Sequence, residues 1–152
     1  MYVRDLMTRD VVTCKSDSNA ETAALMMWNS DCGSVPVIDD NGRAIGMITD
    51  RDICMAVALQ RKSASEIQVR DFMSNQLFSC HPEDNIRHAM KTMASHKIKR
   101  LPITNGSGQI EGLLSIDDIV ACAERGARGI STPDLSFDDT MVTLKAVCNH
   151  HH

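Results

Sequence analysis

This sequence has few aromatic residues and no excess of positive charge. Aromatic side chains make up 3% of its 152 residues, and the formal net charge is −4. Because nonspecific affinity for DNA or RNA comes from neutralising phosphates, the lack of a basic excess argues against nucleic-acid binding. Ten methionines help to supply the core bulk that aromatics would otherwise provide, since Met fills irregular gaps. A hydrophobic fraction of 43% and a charged fraction of 24% are typical of a folded domain.

Long apolar segments are also missing. No apolar run reaches the roughly 18 residues that a membrane-spanning helix needs. The amino terminus MYVRDLMTRD lacks the apolar stretch of a secretory signal. We therefore expect a cytoplasmic protein that has no membrane partner.

The cysteines and histidines form no recognisable metal or redox motif. The six cysteines stand at positions 14, 32, 54, 80, 122 and 148, with no Cys-x-x-Cys pair, which removes the usual support for zinc fingers and thioredoxin-like proteins. Free, mostly buried thiols are favoured over a disulfide framework. The terminal His150–His152 resemble an expression tag and are set aside. His81, His88 and His96 are unlike a tight metal cluster, so no metal site is expected.

The chain contains a duplicated unit that appears when it is compared with itself at a shift of 66 residues. Residues 3–58 then align without a gap on residues 69–124. The identical pairs include Cys14/Cys80, Pro36/Pro102, Gly42/Gly108 and Asp52/Asp118. Scattered chance matches would not keep a turn glycine, a proline and a terminal aspartate in register, so we infer a tandem repeat.

Each repeat predicts the order strand, helix, strand, strand, helix. The first strand is expected at Val11–Thr13 or Leu77–Ser79, and Asn/Asp/Gly turn residues predict a hairpin after the first helix. The second helix is expected to begin near Asp50 or Ile116. Helical spacing predicts two buried stripes, formed by Ala20, Ala23, Ala24 and Met27 in the first repeat and by Ile86, Ala89, Met90 and Met93 in the second.

These boundaries define the expected domains: 1–62, 63–126, a carboxy-terminal tail 127–149 with a helix, and the tag 150–152. The polar segment 59–68 would connect the repeats. In the tail, the spacing of Met141, Leu144, Val147 and Cys148 predicts a helix that packs on its own module or on a second subunit. The fold class is α/β (α+β).

The repeats resemble the cystathionine-beta-synthase (CBS) domain, through GSVPVIDDNGRAIGMITDRDI in the first and KRLPITNGSGQIEGLLSIDDI in the second. The resemblance covers residues 3–124. It implies a pseudo-twofold tandem module with two symmetry-related clefts that bind AMP, ADP, ATP or S-adenosylmethionine, and it implies regulation of an unidentified partner protein rather than catalysis. It also points to a homodimer, as does the apolar character of Ile53, Val57, Ile119 and Ala123 on the second helices.

Two hydroxyl-x-x-carboxylate segments carry the candidate ligand chemistry. Thr49-x-x-Asp52 and Ser115-x-x-Asp118 place a hydroxyl at a strand end and a carboxylate on the first turn of a helix. A carboxylate can accept from both hydroxyls of a ribose, and a helix amino terminus suits a phosphate. The alternative is that both carboxylates only cap their helices. The resemblance adds the remaining binding residues: Val12, Thr13, Ser34, Val35 and Pro36 in the first repeat, and Phe78, Ser79, Leu101 and Pro102 in the second.

Positive charge is distributed unequally between the two candidate sites. Arg51 lies inside the first segment, and Lys99 and Arg100 precede the strand of the second repeat. Cations of this kind make charge-assisted bonds to phosphate. The second repeat has Asp117 where the first has Arg51, and the first has Ser34 where the second has Arg100. We therefore expect unequal sites.

No catalytic fingerprint accompanies these features. The sequence contains no G-x-S-x-G, H-E-x-x-H or P-loop motif at a usable position. Cys80 is followed by His81, but adjacent strand residues point to opposite faces, so a nucleophile–base pair is not expected there. A scaffold that retains the repeats but binds no nucleotide stays open as the alternative function.

Overall fold

The computed structural model describes residues 1–124 and 135–149. Its strands are β1 (Cys14–Lys15), β2 (Ser34–Ile38), β3 (Ala44–Thr49), β4 (Arg100–Thr104) and β5 (Ile110–Ser115). Its α-helices are α1 (Ala20–Asn29), α2 (Asp50–Gln60), α3 (Ile86–His96), α4 (Ile116–Cys122) and α5 (Phe137–Cys148). Short 3-10 turns lie at Val3–Asp5, Ala64–Glu66 and Val69–Asp71. The mixed α/β class is confirmed.

The chain divides into two compact units that do not follow the repeats residue by residue. The first-repeat unit contains Asp10–Leu77 together with Ser107–Ile110. The second-repeat unit contains Met1–Arg9, Phe78–Gly106 and the described residues from Glu111 onward. The packing units group the opening residues of the chain with the second repeat, so they do not test the domain boundaries expected from the sequence repeat. Those boundaries stay a prediction.

The first-repeat unit is built on a three-stranded sheet in the order β1-β2-β3. Strand β1 runs parallel to β2, with Cys14 opposite Val37, and β2 runs antiparallel to β3. Helix α1 begins at the N-cap Asn19, whose side chain accepts from the Thr22 N–H at 2.8 Å. Of its predicted inward stripe, Ala20, Ala23 and Met27 are buried and Ala24 is half-buried. Small residues on this stripe reduce the separation between helix and sheet.

The second-repeat unit places two strands, β4 and β5, against α3 and α4. The segment before α3 forms an isolated parallel bridge with this sheet, between Cys80 and Ile103, and not a third strand. Helix α3 buries all four predicted positions. Helix α5 packs against α3 and α4, and an ion pair of 2.9 Å joins Arg87 to Asp139. The predicted carboxy-terminal helix is therefore present and covers its own unit.

The opening segment of each repeat pairs with a strand of the other repeat. Thr8 exchanges two backbone hydrogen bonds of 2.9 Å with Leu113 on β5. In the first-repeat unit, Ser74 forms the matching pair with Met47 on β3. This approach requires a glycine next to the pairing residue: a Cβ at Gly112 would lie 2.9 Å from the Thr8 carbonyl oxygen. The repeats are thus linked by exchanged segments.

Both hairpins contain a glycine with a left-handed backbone. Gly42 has φ +78° and Gly108 has φ +80°, values that glycine adopts without steric cost. They occupy equivalent positions of the two repeats, between β2 and β3 and between β4 and β5. The predicted hairpin turns are confirmed.

Three expectations about element positions are corrected by the structure. Strand β1 lies at Cys14–Lys15 rather than at 11–13, and 77–79 forms no strand, because pairing with β2 is available only where the buried Cys14 meets Val37. The polar connection begins later than predicted, since α2 continues to Gln60. It is also not wholly exposed, because Ile67 is 1% exposed in the core.

The predicted inward face of α5 is partly wrong. On α5, Met141 is 53% exposed and Cys148 is exposed, whereas Thr140 and Thr143 are buried beside Val147. Burial is tolerated at Thr143 because its hydroxyl donates to the Asp139 carbonyl at 3.1 Å. Residues 125–134 of the predicted tail lie outside the described residues. No helix among the described residues is long and apolar enough to cross a membrane.

Candidate functional site

The first candidate site lies where β2 begins and β3 ends. Ser34 opposes Thr49 in the antiparallel ladder. The Thr49 hydroxyl accepts from the Asp52 N–H at 3.1 Å, and Asp52 Oδ2 accepts from the Thr49 N–H at 2.9 Å. This reciprocal pair is a capping box at the start of α2. Ser34 is 4% exposed, and its hydroxyl has no hydrogen-bond partner among the described residues.

The second candidate site repeats this geometry at the start of α4. Asp118 Oδ2 accepts from the Ser115 N–H at 2.8 Å and from the Ser115 hydroxyl at 2.7 Å. The Asp118 N–H donates back to that hydroxyl at 3.1 Å. Both carboxylates are half-buried. Within the described part of the chain, the structure gives neither Asp52 Oδ1 nor Asp118 Oδ1 a hydrogen bond, so each cap leaves one carboxylate oxygen unused.

The two sites differ in charge where β2 and β4 begin. The half-buried Arg100 starts β4 after the exposed Lys99, and neither forms an ion pair with any described residue. The equivalent positions in the first repeat are Ser34 and Gly33. A Cβ at Gly33 would lie 3.1 Å from the Asp50 carboxylate, whereas the second repeat has an isoleucine at the position of Asp50. Where the strand begins, the first site is therefore bordered by an anion and the second by cations.

Other predicted binding residues divide into buried strand positions and more accessible flanking ones. Val35, Pro36, Leu101 and Pro102 are buried on β2 and β4, so they can offer only backbone groups. Val12 and Ser79 are exposed, Thr13 and Phe78 are half-buried, and Arg51 is exposed on the first turn of α2. The structure thus brings the strand ends and helix starts of each repeat together, and it leaves Arg51 without an ion pair among the described residues.

Phe78 has a partner that sequence reasoning missed. Its ring stacks on the His96 imidazole, with the ring centroids 3.6 Å apart. His96 Nδ1 lies 3.0 Å from the Thr92 carbonyl oxygen, which requires Nδ1 to be the donor. The first repeat has Ser30 at the position of His96. A flat stacked pair of this kind therefore belongs to the second repeat alone.

A cavity of about 470 Å³ lies elsewhere in the second-repeat unit. Its lining includes Arg4, Arg9, His81 and Asn105, and Arg4 is paired with Glu83. It contains none of the predicted binding residues. Because hydrogen-bonding geometry, and not volume, identifies a nucleotide site, we place the candidate sites at the two capping boxes.

Cys80 and His81 do not form a nucleophile and base. Cys80 is 2% exposed, and burial together with the neighbouring Asp84 carboxylate raises the pKa of its thiol to about 11. His81 is exposed, and its Nδ1 lies 2.8 Å from the Thr104 carbonyl oxygen. Such a thiol carries little thiolate near neutral pH, which makes it a poor nucleophile.

Three residues of the second-repeat unit bring metal-ligating atoms close together, and the expectation of no metal site stays a prediction. Ligand atoms of Cys80, Asp84 and His88 all lie within 4.8 Å of one another. The spacing Cys-x-x-x-Asp-x-x-x-His crosses a turn and a helix start, so it matches no familiar metal motif. Residues recurring every fourth position before and within a helix were the signal that could have revealed it.

Comparison with known proteins identifies the repeats. The family model described as "CBS domain" matches residues 3–59 and 69–124. Among curated relatives, the CBS domain-containing protein YhcV of Bacillus subtilis is 32% identical over 117 residues, covering 77% of this chain and 81% of YhcV. Protein MK0525 of Methanopyrus kandleri is 31% identical over 118 residues, or 78% of this chain and 60% of that protein.

Some relatives are much longer than this chain. Homoserine O-acetyltransferase of Methanococcoides burtonii is 32% identical over 117 residues, which cover 77% of this chain but only 23% of the transferase. Among solved structures, the CBS domain pair of protein MJ0100, in complex with 5′-methylthioadenosine and S-adenosyl-L-methionine, has a TM-score of 0.72 at 21% identity. The match covers 80% of this chain and 94% of that one. With two family matches in register with the structural repeat, the chain belongs to the CBS-domain family as a tandem CBS pair.

Proposed function

We propose that the protein is a regulatory module that binds adenosine-containing ligands through Asp52 and Asp118. The observation that carries the proposal is the unused Oδ1 oxygen of each capping carboxylate. Each Oδ2 is engaged by the helix cap, while Oδ1 can accept from a ribose hydroxyl. A carboxylate whose other oxygen is held by a backbone N–H of the strand end is pre-organised for that bond.

The unpartnered Ser34 hydroxyl supports a ligand at the first site. A buried hydroxyl without a partner costs free energy, and Ser34 stands opposite Thr49 at the edge of the capping box. A ligand group at that edge would satisfy it. The backbone at the start of β2 and β4 can read an adenine edge without a dedicated side chain.

The charge difference gives the two sites different expected ligands. Lys99 and Arg100, which have no ion pair among the described residues, favour a phosphate-bearing nucleotide such as AMP, ADP or ATP at the second site. The Asp50 carboxylate beside Gly33 disfavours phosphate at the first site and suits a ligand without phosphate, such as the cationic S-adenosylmethionine. The bound pair in MJ0100 consists of two such phosphate-free adenosyl ligands.

In this proposal the protein catalyses no reaction. Ligand binding instead changes its effect on a partner protein. In the homoserine O-acetyltransferase relative, a similar segment forms 23% of the enzyme. An enzyme is therefore the kind of partner that such a module would control.

We further propose a homodimer. Ile53 and Ile119, which motivated that expectation, are buried within their own units. The exposed Met55 and Leu59, one turn apart on α2, are the better candidates for the contact.

Calorimetric titration with AMP, ADP, ATP, NAD and S-adenosylmethionine tests the proposal. We expect at least one ligand to bind with saturable heat. At about 100 times its dissociation constant, that ligand should stabilise the fold by about 2.7 kcal/mol. GMP is the matched control for adenine recognition, and ATP incubated with the protein should be recovered intact. Absence of binding and of a thermal shift with all five ligands would refute it.

A scaffold that binds no nucleotide is the second candidate. The observation in its favour is that both capping boxes are complete without a ligand. This function predicts that replacing Asp52 or Asp118 changes only helix stability. Binding of any of the five ligands, lost on replacement of either carboxylate, would exclude it.

A further inference from the structure

Three metal-ligating side chains meet where α3 begins in the second-repeat unit. The Cys80 sulfur, a carboxylate oxygen of Asp84 and a ring nitrogen of His88 lie within 4.8 Å of one another. Cys80 is buried, Asp84 is half-buried and His88 is exposed. We propose that these residues bind one Zn²⁺ ion, at a site separate from the residues proposed to hold adenosyl ligands.

The backbone already holds the three positions. The Cys80 N–H donates to the Pro102 carbonyl at 3.2 Å, and the Cys80 carbonyl accepts from Thr104 at 2.9 Å. The Asp84 carbonyl accepts from the Val3 N–H at 2.8 Å. His88 is on the first turn of α3. Only side-chain rotation is therefore needed to close the cluster.

The distances fit that rotation. Zinc bonds of about 2.0 to 2.3 Å in a tetrahedron separate neighbouring ligand atoms by about 3.3 to 3.8 Å. Ligand atoms within 4.8 Å of one another need to approach by at most about 1.5 Å to reach these separations. Rotamer adjustments of Asp84 and the exposed His88 supply a movement of this size without displacing the backbone.

The set of donors selects the metal. A thiolate and an imidazole suit zinc and disfavour calcium and magnesium, which take oxygen ligands. Three protein ligands leave a fourth tetrahedral position, which a water can fill on the exposed side of His88. Such an open site is the arrangement of zinc centres that exchange a ligand.

Nearby cations do not occupy the cluster. Arg87, next to His88, pairs with Asp139 at 2.9 Å, and Arg4 pairs with Glu83. Asp84 Oδ2 accepts from the His81 N–H at 2.8 Å, which orients the carboxylate and leaves its other oxygen for a metal.

The first repeat provides an internal comparison. At the positions of Cys80, Asp84 and His88 it has Cys14, Ser18 and Thr22. Cys14 is buried like Cys80, so packing accounts for a cysteine in both repeats. Packing does not account for Asp84 and His88, which are only half-buried and exposed. Only the second repeat therefore has a carboxylate and an imidazole, those of Asp84 and His88, near the cysteine that both repeats share.

Cobalt titration tests the site, because Co²⁺ replaces Zn²⁺ and its thiolate bond absorbs in the near ultraviolet. The 152-residue chain is used with His150, His151 and His152 changed to Ala, since consecutive histidines bind metals themselves. We expect one Co²⁺ per chain, a thiolate charge-transfer band, and loss of the band when one equivalent of Zn²⁺ is added.

Variants identify the ligands. His88→Gln changes an exposed residue and should weaken Zn²⁺ binding at least about 100-fold, the upper range for loss of even an outer-shell contact. Asp84→Asn should also weaken it. Cys80→Ser should abolish the thiolate band, with circular dichroism as the check that it folds. The matched controls Cys14→Ser and His96→Gln should bind as the parent does.

Two results would overturn the proposal. One is Zn²⁺ affinity that is unchanged in His88→Gln, and the other is a parent protein that shows no thiolate band at saturating Co²⁺. Neither depends on nucleotide binding, so failure here leaves the adenosyl proposal to its own calorimetric test.

Discussion

Ser34 and Thr49 face each other across the β2–β3 ladder, and only one of their hydroxyls is hydrogen-bonded. The Thr49 oxygen accepts from the Asp52 N–H, while Ser34 Oγ is buried without a partner among the described residues. Ser34 lies at the start of β2, opposite the N-cap of α2, so a ligand bound at this edge would supply the missing hydrogen bond.

Replacement of Ser34 separates ligand binding from stability. Ser34→Ala removes a buried hydroxyl that makes no bond, so the free energy of unfolding should be unchanged or higher by up to about 1 kcal/mol. Binding at the first site should weaken. Urea denaturation and calorimetry measure the two effects. A loss of stability above about 1 kcal/mol would mean that the hydroxyl has a partner in the free protein.

The two capping carboxylates should contribute unequally to nucleotide affinity. Because Lys99 and Arg100 accompany Asp118, Asp118→Ala should cost about 1.5–3 kcal/mol of nucleotide binding, the range for hydrogen bonds to a charged group. The fold should lose only about 1 kcal/mol, the value of a helix cap.

Asp52→Ala is the matched control and should leave most of the high-affinity nucleotide binding intact. Calorimetry on both variants compares them directly. If Asp52→Ala instead removes the tight site and Asp118→Ala does not, the principal site has been assigned to the wrong repeat.

Close packing of the exchanged opening segment predicts that Gly112 tolerates no side chain. Gly112→Ala would place a Cβ 2.8 Å from Met7 Sδ and 2.9 Å from the Thr8 carbonyl oxygen. Overpacking of this kind costs about 1–3 kcal/mol. Gly106→Ala, where no atom lies within 4 Å, should be nearly neutral. Equal thermal midpoints for the two variants would contradict the observed pairing.

The buried Cys14 thiol should react slowly with iodoacetamide. Burial raises its pKa to about 11 from 9.0, so thiolate forms only at high pH in the folded state. Since the folded pKa is the higher one, stability is fully retained below pH 9 and falls as pH rises towards 11. Mass spectrometry should show Cys54, which is exposed, alkylated first at pH 8. Equal labelling of both would contradict burial of Cys14.

Leu59 should take part in the proposed dimer. It is 70% exposed and follows Met55, which is 44% exposed, by one helical turn. Leu59→Asp should shift the protein to a monomer in light scattering at micromolar concentration without lowering its thermal midpoint. A parent protein that is already monomeric at that concentration rejects the dimer.

The sequence predicted well those elements that have a long hydrophobic period. Helix α3 buries all four expected residues, because a stripe over eight positions has a strong signal. Strand β1 has two residues and therefore no measurable period, and its position was missed by three residues. On α5, apolar residues occur on more than one face, so spacing alone did not distinguish the buried Val147 from the exposed Met141.

The candidate site was predictable for a different reason. The hydroxyl-x-x-carboxylate spacing is local, so the two capping boxes followed from the sequence. The Asp50 carboxylate near Gly33 and the stack of Phe78 on His96 depend on tertiary contacts that no local pattern encodes. The sequence predicted a β2–β3 hairpin. It did not predict the register that sets Ser34 opposite Thr49, or that the Ser34 hydroxyl has no partner among the described residues.

The exchange of opening segments has a consequence for dissection of the chain. A cut near residue 62 yields two fragments, and each carries the opening segment that pairs with the other: Met7 and Thr8 stay in the first fragment, and Met73 and Ser74 stay in the second. Each fragment alone should fold poorly or recruit the missing segment from another copy. Mixed together, the two should reassemble, so this tandem pair is expected to behave as a split protein that complements itself.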